Sequence, residues 1–570
     1  MGLLGLVARR AAQAGVLAGV SLPMAAYGVD AAGIEVFPES AGRAAAGSTS
    51  GLVRGVRLWW NFTPVVVDYR WLELKHRMAS KSEEEKDLEW EALHERRAQD
   101  VARRLEEMRG FYVKFAQILA GRPDTVPRQY TDRLRALEDA VPARPLRDVL
   151  ESVRSSMGLD DVGELFSEFD AEPLGSASIG QVHRAVLRGP RGGREVAVKV
   201  MDPDAEALFR ADIANARLFC AVFAPEQLIV FDEVERQFLT EFDYRAEARN
   251  LDVARANMKP FAGLVRVPAP DHVHTTRGVL VMEYLAGKKL YDVVKEYGQV
   301  HARRQGKTWE ELEAEEMRRF REEGPPPPYV GPAAWKVELY RRALKAYDGA
   351  RNAAIAGINA ATWPVRRPLG LPGMQRRHTD VPPNSAFIMD TLMKVMGHQV
   401  LVNGAFNADP HAGNFLMLDD GRIGLIDYGQ FKRIDRAQRL RICHILGMLE
   451  RGDKDGLMQL ARKGGYRSKY FDPDVIWTMT RFGLDQDGPQ VTGGKNIQQF
   501  QDEQFSKDPW SKTDASIIMP VRVSLMLRGV GLQLGHPVST LDHWASIARQ
   551  TLRDEGNPGV DTLLDNFTCD

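Results

Sequence analysis

Four residues of this chain could together handle a phosphate chain and a metal ion: Lys199, Asp409, Asn414 and Asp427. Lys199 ends the β-branched run Val196-Ala197-Val198-Lys199. On a strand its ammonium would stand over whatever lies beside the sheet, a point charge suited to phosphate oxygens. Upstream, Gly175-Ser176-Ala177-Ser178-Ile179-Gly180-Gln181-Val182 offers glycine backbone that can approach such oxygens and present N–H groups. Downstream, Asp409-Pro410-His411-Ala412-Gly413-Asn414 places an Asn five residues after an Asp, and Asp427-Tyr428-Gly429 begins thirteen residues later. Mg2+ takes hard oxygen ligands of this kind and bridges phosphate oxygens. Taken singly, the lysine reads as a solvated residue, the glycine run as a hairpin turn and the acidic motifs as turns. In this order and spacing they point to phosphoryl transfer.

The pattern follows the one that protein kinases use. Lys199 and Asp409 take the catalytic positions, and Asn414 and Asp427 the metal positions. Gly175, Ser176, Ala177, Ser178, Gly180 and Val182 form the nucleotide loop, joined as nucleotide-binding residues by Lys199, Glu247 and Glu283. Ala177 replaces the loop's middle glycine, and its Cβ lies where phosphate approach would be closest, so nucleotide should be held differently here. Glu247, in the helical stretch EFDYRAEARNL, is the candidate acidic partner of Lys199; Glu241 and Asp243 precede it, and surface decoration is the competing reading for all three. Two things are absent. Asn407-Ala408 precedes Asp409 instead of His-Arg, and no Ala-Pro-Glu follows Asp427-Tyr428-Gly429, where RIDRAQRLRICHIL reads as a helix. A peptide-docking kinase carries an activation segment there, so a peptide substrate is not expected.

The elements that must position these residues are legible in outline. Residues 171–201 read as strand, glycine-rich turn and strand, and 278–284 (GVLVMEY) as a buried strand leading to a hinge. Residues 81–108 are helical, with Trp90, Leu93, Val101, Leu105 and Met108 on one face. Residues 205–255 are helical in charge pattern, and 436–570 mostly helical. From about 296 to 380 the sequence loosens into a Glu/Arg-rich stretch, Pro325–Pro328, an Ala-rich amphipathic piece around Trp335–Thr362 and a Pro/Arg-rich loop, the pattern of an insertion. The segments 51–75 and 335–362 suit either a membrane surface or core packing.

At 570 residues the chain has room for two lobes and accessory segments. Its 76 Lys and Arg balance 77 Asp and Glu, so no bulk charge points to nucleic acid. Cys220, Cys443 and Cys569 lie far apart, which excludes a disulfide framework and leaves a zinc site unsupported. Residues 1–29 hold no Asp, Glu or Lys and two charges, Arg9 and Arg10. Such a start reads as an organelle transit peptide, with a secretory signal and an unaddressed terminus as alternatives. No later run reaches the roughly 18 apolar residues of a spanning helix, so the expectation is a soluble or membrane-peripheral protein.

The residues between Gly110 and Gly429, with LRGVGLQLG near 528–535, resemble the UbiB/ADCK (aarF-domain) family of atypical kinases. FYVKFAQILAGRPDTVPRQY, PLGSASIGQVHRA, VAVKV, EFDYRAEARN, VMEYLAG, ADPHAGNFL and LIDYG carry the resemblance. It implies an α+β, two-lobed protein-kinase-like fold: a helical extension (51–150) after the transit segment (1–50), an N-lobe (151–290), a C-lobe (291–450) with the insertion, and a helical C-terminal region (451–570). It also implies an alanine-bearing nucleotide loop, and a regulatory extension with a Lys-x-Gly-Gln motif that folds over the active site. Lys114 and Gln117 fit that motif, with Ala116 in place of its glycine, and Glu241 and Asp243 fit the accompanying Glu-x-Asp. Asn407 stands where the family commonly has His, and Ala412 where it has Pro. The resemblance further implies ATP and Mg2+ as cofactors, a role in ubiquinone, other prenylquinone or lipid homeostasis, and a mitochondrial or chloroplast location peripheral to a membrane holding a lipid quinone. A small-molecule phosphotransferase of the aminoglycoside-kinase sort and a catalytically silent nucleotide-binding scaffold are the alternative readings.

Overall fold

The computed structural model describes residues 49–559 except 79–80, 109–110, 113–114, 117–127, 136–142, 178, 190–192, 224–238, 380, 496 and 513–514. Residues 1–48, with the transit segment, and residues 560–570, with Cys569, lie outside that description, as do Lys114 and Gln117. Two compact units emerge: residues up to 249 with 270–284, and residues 250–269 with 285 onward.

The first unit contains, in chain order, α1 (Thr49–Met78), α2 (Glu83–Met108), α3 (Arg128–Arg135), α4 (Leu146–Met157), β1 (Phe166–Phe169), β2 (Gly175–Ala177), β3 (Gly180–Leu187), β4 (Arg194–Met201), α5 (Ala205–Phe223), the first half of α6 (Tyr244–Asn257) and, later, β6 (Val279–Glu283). Its strands form an antiparallel sheet in the order β1-β3-β4-β6, with β2 added on β3. Alternation gives β4 and β6 a shared apolar face. Val196, Val198, Val200, Val279 and Val281 are fully buried against Val149 and Val153 of α4. α4 stops at Gly158, whose φ of 69° is a left-handed conformation that glycine adopts without strain.

A second core in this unit is helical. Leu58, Leu105, Met108, Phe111, Tyr112, Ala116 and Leu134 pack on Phe209, Ile213 and Phe242. The methyl of Ala116, the alanine in the Lys-x-Gly-Gln-like motif, is thus fully enclosed in this shared core. The Arg54 guanidinium donates to both carboxylate oxygens of buried Asp212 at 2.7 and 2.6 Å, tying α1 to α5. Residues 51–75 therefore pack one side into a core, and Trp60 and Trp71 remain exposed.

The second unit begins inside α6 and adds β5 (Val265–Arg266), β7 (Gly287–Lys289), α7 (Leu290–Arg304), α8 (Trp309–Glu323), α9 (Ala334–Arg366), α10 (Ser385–His398), β8 (Ala405–Asn407), β9 (Phe415–Leu418), β10 (Ile423–Leu425) and β11 (Phe431–Arg433). It ends with α11 (Arg436–Arg451), α12 (Lys454–Lys463), β12 (Arg467–Ser468), α13 (Pro473–Leu484), α14 (Pro489–Thr492), α15 (Ile497–Lys507), β13 (Trp510–Lys512), α16 (Ala515–Gln533) and α17 (Thr540–Asp554). One small sheet runs β5-β10-β9-β7, and β8 pairs with β11. The core gathers α10, α11 and α17 around buried Trp544, whose indole N–H donates to the Met393 carbonyl at 2.9 Å. Burial pushes the Cys443 thiol of α11 up to about 12, which keeps it inert.

Two outcomes depart from the sequence reading. The stretch expected to loosen at 296–380 is helical over most of its length: a Thr308–Glu311 capping box starts α8, and α9 runs for 33 residues. The boundary between the units falls within α6, where periodicity continues and composition does not change, so nothing in the sequence marks it. Among the described residues, no helix is long and apolar enough to cross a membrane.

Candidate functional site

The candidate residues are held by two sets of elements, one in each unit. In the first unit, β2 and β3 form a tight antiparallel turn in which Ala177 pairs with Gly180 and Gly175 with Val182. Gly180 is there for space: a Cβ on it would meet the Val200 carbonyl oxygen at 2.3 Å. Ser178 lies outside the described residues. Val182 pairs with Lys199 across β3 and β4, and Lys199 with Leu280 on β6, so the lysine sits in the middle of the sheet. Its ammonium donates to both carboxylate oxygens of Glu247 at 2.9 and 3.0 Å, and both side chains are largely buried. Helix α6 presents Glu247 and, one turn earlier, Tyr244, whose ring lies 5.2 Å from the Lys199 ammonium. Desolvating two charges is tolerated only when they are paired this closely. Glu283 ends β6, half-buried, opposite Val196. Glu241 lies within the short 3-10 turn Thr240–Phe242 before α6 and Asp243 directly follows it, and the Asp243 carboxylate accepts from the Arg245 backbone N–H at 3.1 Å.

Beside this set lies a buried amide that sequence reasoning left without a role. Gln181, next to Gly180, accepts from the Arg144 backbone N–H at 2.8 Å and contacts the ring of fully buried His183 at 2.8 Å. His183 in turn contacts the Asp170 carbonyl, and burial lowers its pKa. These bonds fix the first strand residues after the nucleotide loop.

The second unit holds Asp409, Asn414 and Asp427 on short loops. Asn407, at the end of β8, accepts from the Asp409 backbone N–H at 2.8 Å and donates to the Asp427 carbonyl at 2.8 Å. One buried side chain thus ties the Asp-Pro-His loop to Asp-Tyr-Gly. Asn407 is itself braced by Gln399, which accepts from its backbone N–H and donates to the hydroxyl of buried Tyr428. Gln399 starts the π-helical turn Gln399–Asn403 that follows α10, and π turns recur at functional sites. Asn414 closes the loop by donating to the Asp409 carbonyl at 3.0 Å. Asp427 accepts from the Gly429 backbone N–H at 2.9 Å. After Gly429 come only β11 and the capping box of Asp435 and Gln438 that starts α11. The short connection leaves no activation segment between them.

Sequence spacing missed one cation. Arg522 of α16 donates to Asp409 Oδ1 at 3.1 Å, from 113 residues downstream. His411 stands 3.9 Å from the other carboxylate oxygen. Nothing in the run ASIIMPVRVSLMLRGVGLQ singles Arg522 out from Arg528, which is buried and donates to the Phe482 carbonyl. In sum, Lys199 meets Glu247 in the first unit, and Asp409, Asn414 and Asp427 are linked through Asn407 in the second. Among the described residues, no three His, Cys, Asp or Glu stand together to hold a metal alone.

The pattern of the ABC1 atypical kinase-like domain matches residues 136–317 and 377–461. Over 189 residues the chain is 35% identical to AarF domain-containing protein kinase 1 of Xenopus laevis, covering 32% of this chain and 35% of that protein. It is 34% identical over 189 residues to the chloroplastic Protein ACTIVITY OF BC1 COMPLEX KINASE 8 of Arabidopsis thaliana (31% and 24%). Over 197 residues it is 33% identical to the probable protein kinase UbiB of Marinobacter nauticus (33% and 35%). The matches span about a third or less of the length of these three relatives. A solved Mycobacterium tuberculosis protein in complex with erythromycin is similar at a TM-score of 0.44 and 20% identity, covering 81% of this chain and 99% of its own. The fold is α+β and kinase-like, and the chain carries an atypical kinase-like domain of the ABC1 (UbiB/AarF) family.

Proposed function

We propose that this protein binds Mg-ATP and acts as a UbiB-type atypical kinase or ATPase, peripheral to an organellar membrane, in the homeostasis of a prenylquinone or related lipid. The buried Lys199–Glu247 pair carries the reading: an ammonium in the middle of a sheet, held at 2.9 and 3.0 Å by a helical glutamate, has little purpose in packing. Lys199 anchors the phosphate chain. Asn414 and Asp427 contribute the oxygens for Mg2+, which when bound neutralises charge on the phosphates. Asp409 accepts a proton from the attacking hydroxyl or water as the γ-phosphoryl group leaves ADP, or orients that nucleophile.

The direct passage from Gly429 to α11 argues for a non-peptide acceptor. The chloroplastic relatives support an organelle, and the Arg-bearing, acid-free start of the chain supports a transit peptide. Glu241, Asp243, Lys114 and Gln117 are proposed as the regulatory extension. The test is isothermal titration of the purified chain with ATP and Mg2+, followed by ATP turnover with and without quinone-bearing membranes. Saturable Mg-ATP binding and turnover lost in Asp409→Asn support the proposal; no nucleotide affinity overturns it.

A further inference from the structure

Helix α9 and the segment that follows it lie largely within the gap, residues 318–376, that the family pattern does not match. A helix of 33 residues extends about 50 Å at 1.5 Å per residue. Ile355 is its one buried residue. Isolated helices in water are marginal unless a face is packed, and the two faces of α9 differ in what they meet.

One face is occupied. Asp348, Asn352 and Asn359 are spaced 4 and 7 residues apart and share a side of the helix. Each Asn makes a two-way bond with the returning chain. Asn359 exchanges hydrogen bonds with the backbone of Met374 at 2.8 and 2.8 Å, and Asn352 with that of Arg377 at 2.8 and 2.9 Å. Asp348 accepts from the Thr379 hydroxyl and backbone N–H at 2.7 and 2.5 Å. The return segment is therefore strapped along the polar side.

The opposite face is apolar and exposed. Trp335, Leu339, Tyr340, Tyr347, Ile358 and Val365 follow helical spacing on one side of α9, each between 48 and 65% exposed. Between residues 334 and 379, nine Lys and Arg face two carboxylates, Glu338 and Asp348, a surplus of seven in a chain whose net charge is −1. Several cations flank aromatic rings: Lys336 by Trp335, Arg351 by Tyr347 and Arg367 by Trp363. Trp and Tyr on the apolar side of a basic helix are the composition of an interfacial membrane helix.

We infer that residues 334–379 are a membrane-surface arm that lays the Trp335–Val365 face of α9 into an anionic lipid surface. Charge complementarity selects this occupant. A second copy of the chain would bring two basic arms together, and a neutral apolar partner would leave the surplus of seven cations without a role. The inference rests on the membrane-peripheral reading above and assigns it to one element, independently of the nucleotide site.

The test is sedimentation of the purified full chain with phosphatidylcholine vesicles, alone or with about a third phosphatidylglycerol, across a salt series. The expected result is binding about tenfold or more stronger to the anionic vesicles and weakened by salt. A variant carrying Trp335→Ser, Tyr340→Ser, Tyr347→Ser and Ile358→Ser should lose that binding while keeping its thermal midpoint and Mg-ATP affinity. Asp427→Asn should lose nucleotide and keep vesicle binding, so failure of the arm and failure of the ATP reading are told apart. Binding unaffected by the four substitutions overturns the inference. So does concentration-dependent dimerisation, abolished by the same substitutions, in a chain that ignores both vesicles.

Discussion

The two sets of candidate residues are built by different means. Lys199 is placed by strand register: Val182 and Leu280 sit opposite it, and alternate valines on β4 and β6 fix which side of the sheet it faces. Asp409, Asn414 and Asp427 sit on loops and short turns, where register gives nothing. They are placed by side-chain amides, chiefly Asn407 with Gln399 behind it. Position by packing is redundant, because many valines share the task. Position by one hydrogen-bonding side chain is not, because removing it leaves buried donors and acceptors without partners.

The largest effect belongs to the functional groups themselves. Lys199→Met and Asp427→Asn should each lower ATP turnover by about 10²–10³-fold, read by coupled ADP release, with far-UV circular dichroism unchanged. Retention of most activity by Lys199→Met would remove the sheet-borne lysine from the site. Next comes Asn407→Leu, similar in size but unable to hydrogen-bond. It should cost about 1–3 kcal/mol in denaturant unfolding and also reduce turnover, because two loops lose one tie. Leu280→Met on the sheet, a swap that conserves volume at a fully buried position, should cost less than about 1.5 kcal/mol, and equal losses from the two would erase the distinction.

A third test lies in the β12–β13 ribbon, another region held by one side chain. Buried Asp508 accepts from the Ser468 hydroxyl at 2.6 Å and from the backbone N–H groups of Tyr470 and Asp472 at 2.7 and 2.8 Å. Burial raises its pKa, but these donors outweigh burial and hold the carboxyl below its ordinary 3.8. Its contribution is thus complete above the unfolded carboxylate range and is lost as pH falls through the lower folded value. Asp508→Asn should cost about 1–2 kcal/mol at pH 7, and this difference from wild type should shrink in acid urea melts below about pH 4. The smallest effect is expected of Arg522→Gln. Its side chain is 39% exposed and its bond to Asp409 correspondingly screened, so turnover should change a few-fold, and by less at high salt. A loss as large as that of Asp427→Asn would make Arg522 part of the catalytic machinery.

Much of the sheet was legible because it is periodic. The VAVKV strand, the GVLVMEY strand and the amphipathic α2 are written in alternation or 3.6-residue spacing. Glu247 was read as the partner of Lys199 from the helical frame EFDYRAEARNL, and the two side chains stand 2.9 Å apart. The acidic loops were legible as a spacing, but not the means that hold them. Asn407 looked like a departure from the family's usual residue, and Gln399 like one more polar residue after a helix; their roles depend on contacts across loops. Arg522 was invisible because its partner is 113 residues away. The stretch at 296–380 misled because Glu and Arg in runs resemble a disordered tract, whereas here they alternate at helical spacing, as in the Arg319–Glu316 pair and the bonded Thr308–Glu311 cap.

One bond at the base of the arm has a consequence for engineering. The Asn384 amide donates to the Ala334 carbonyl at 3.0 Å while its oxygen caps α10 through the Phe387 backbone N–H. The excursion from 334 to 384 therefore leaves and rejoins the second unit at one point. A chain segment whose ends already meet can be cut out and replaced by a short glycine bridge at little cost in loop closure. It should be equally transferable, as a detachable cassette, to any surface loop whose ends stand as close.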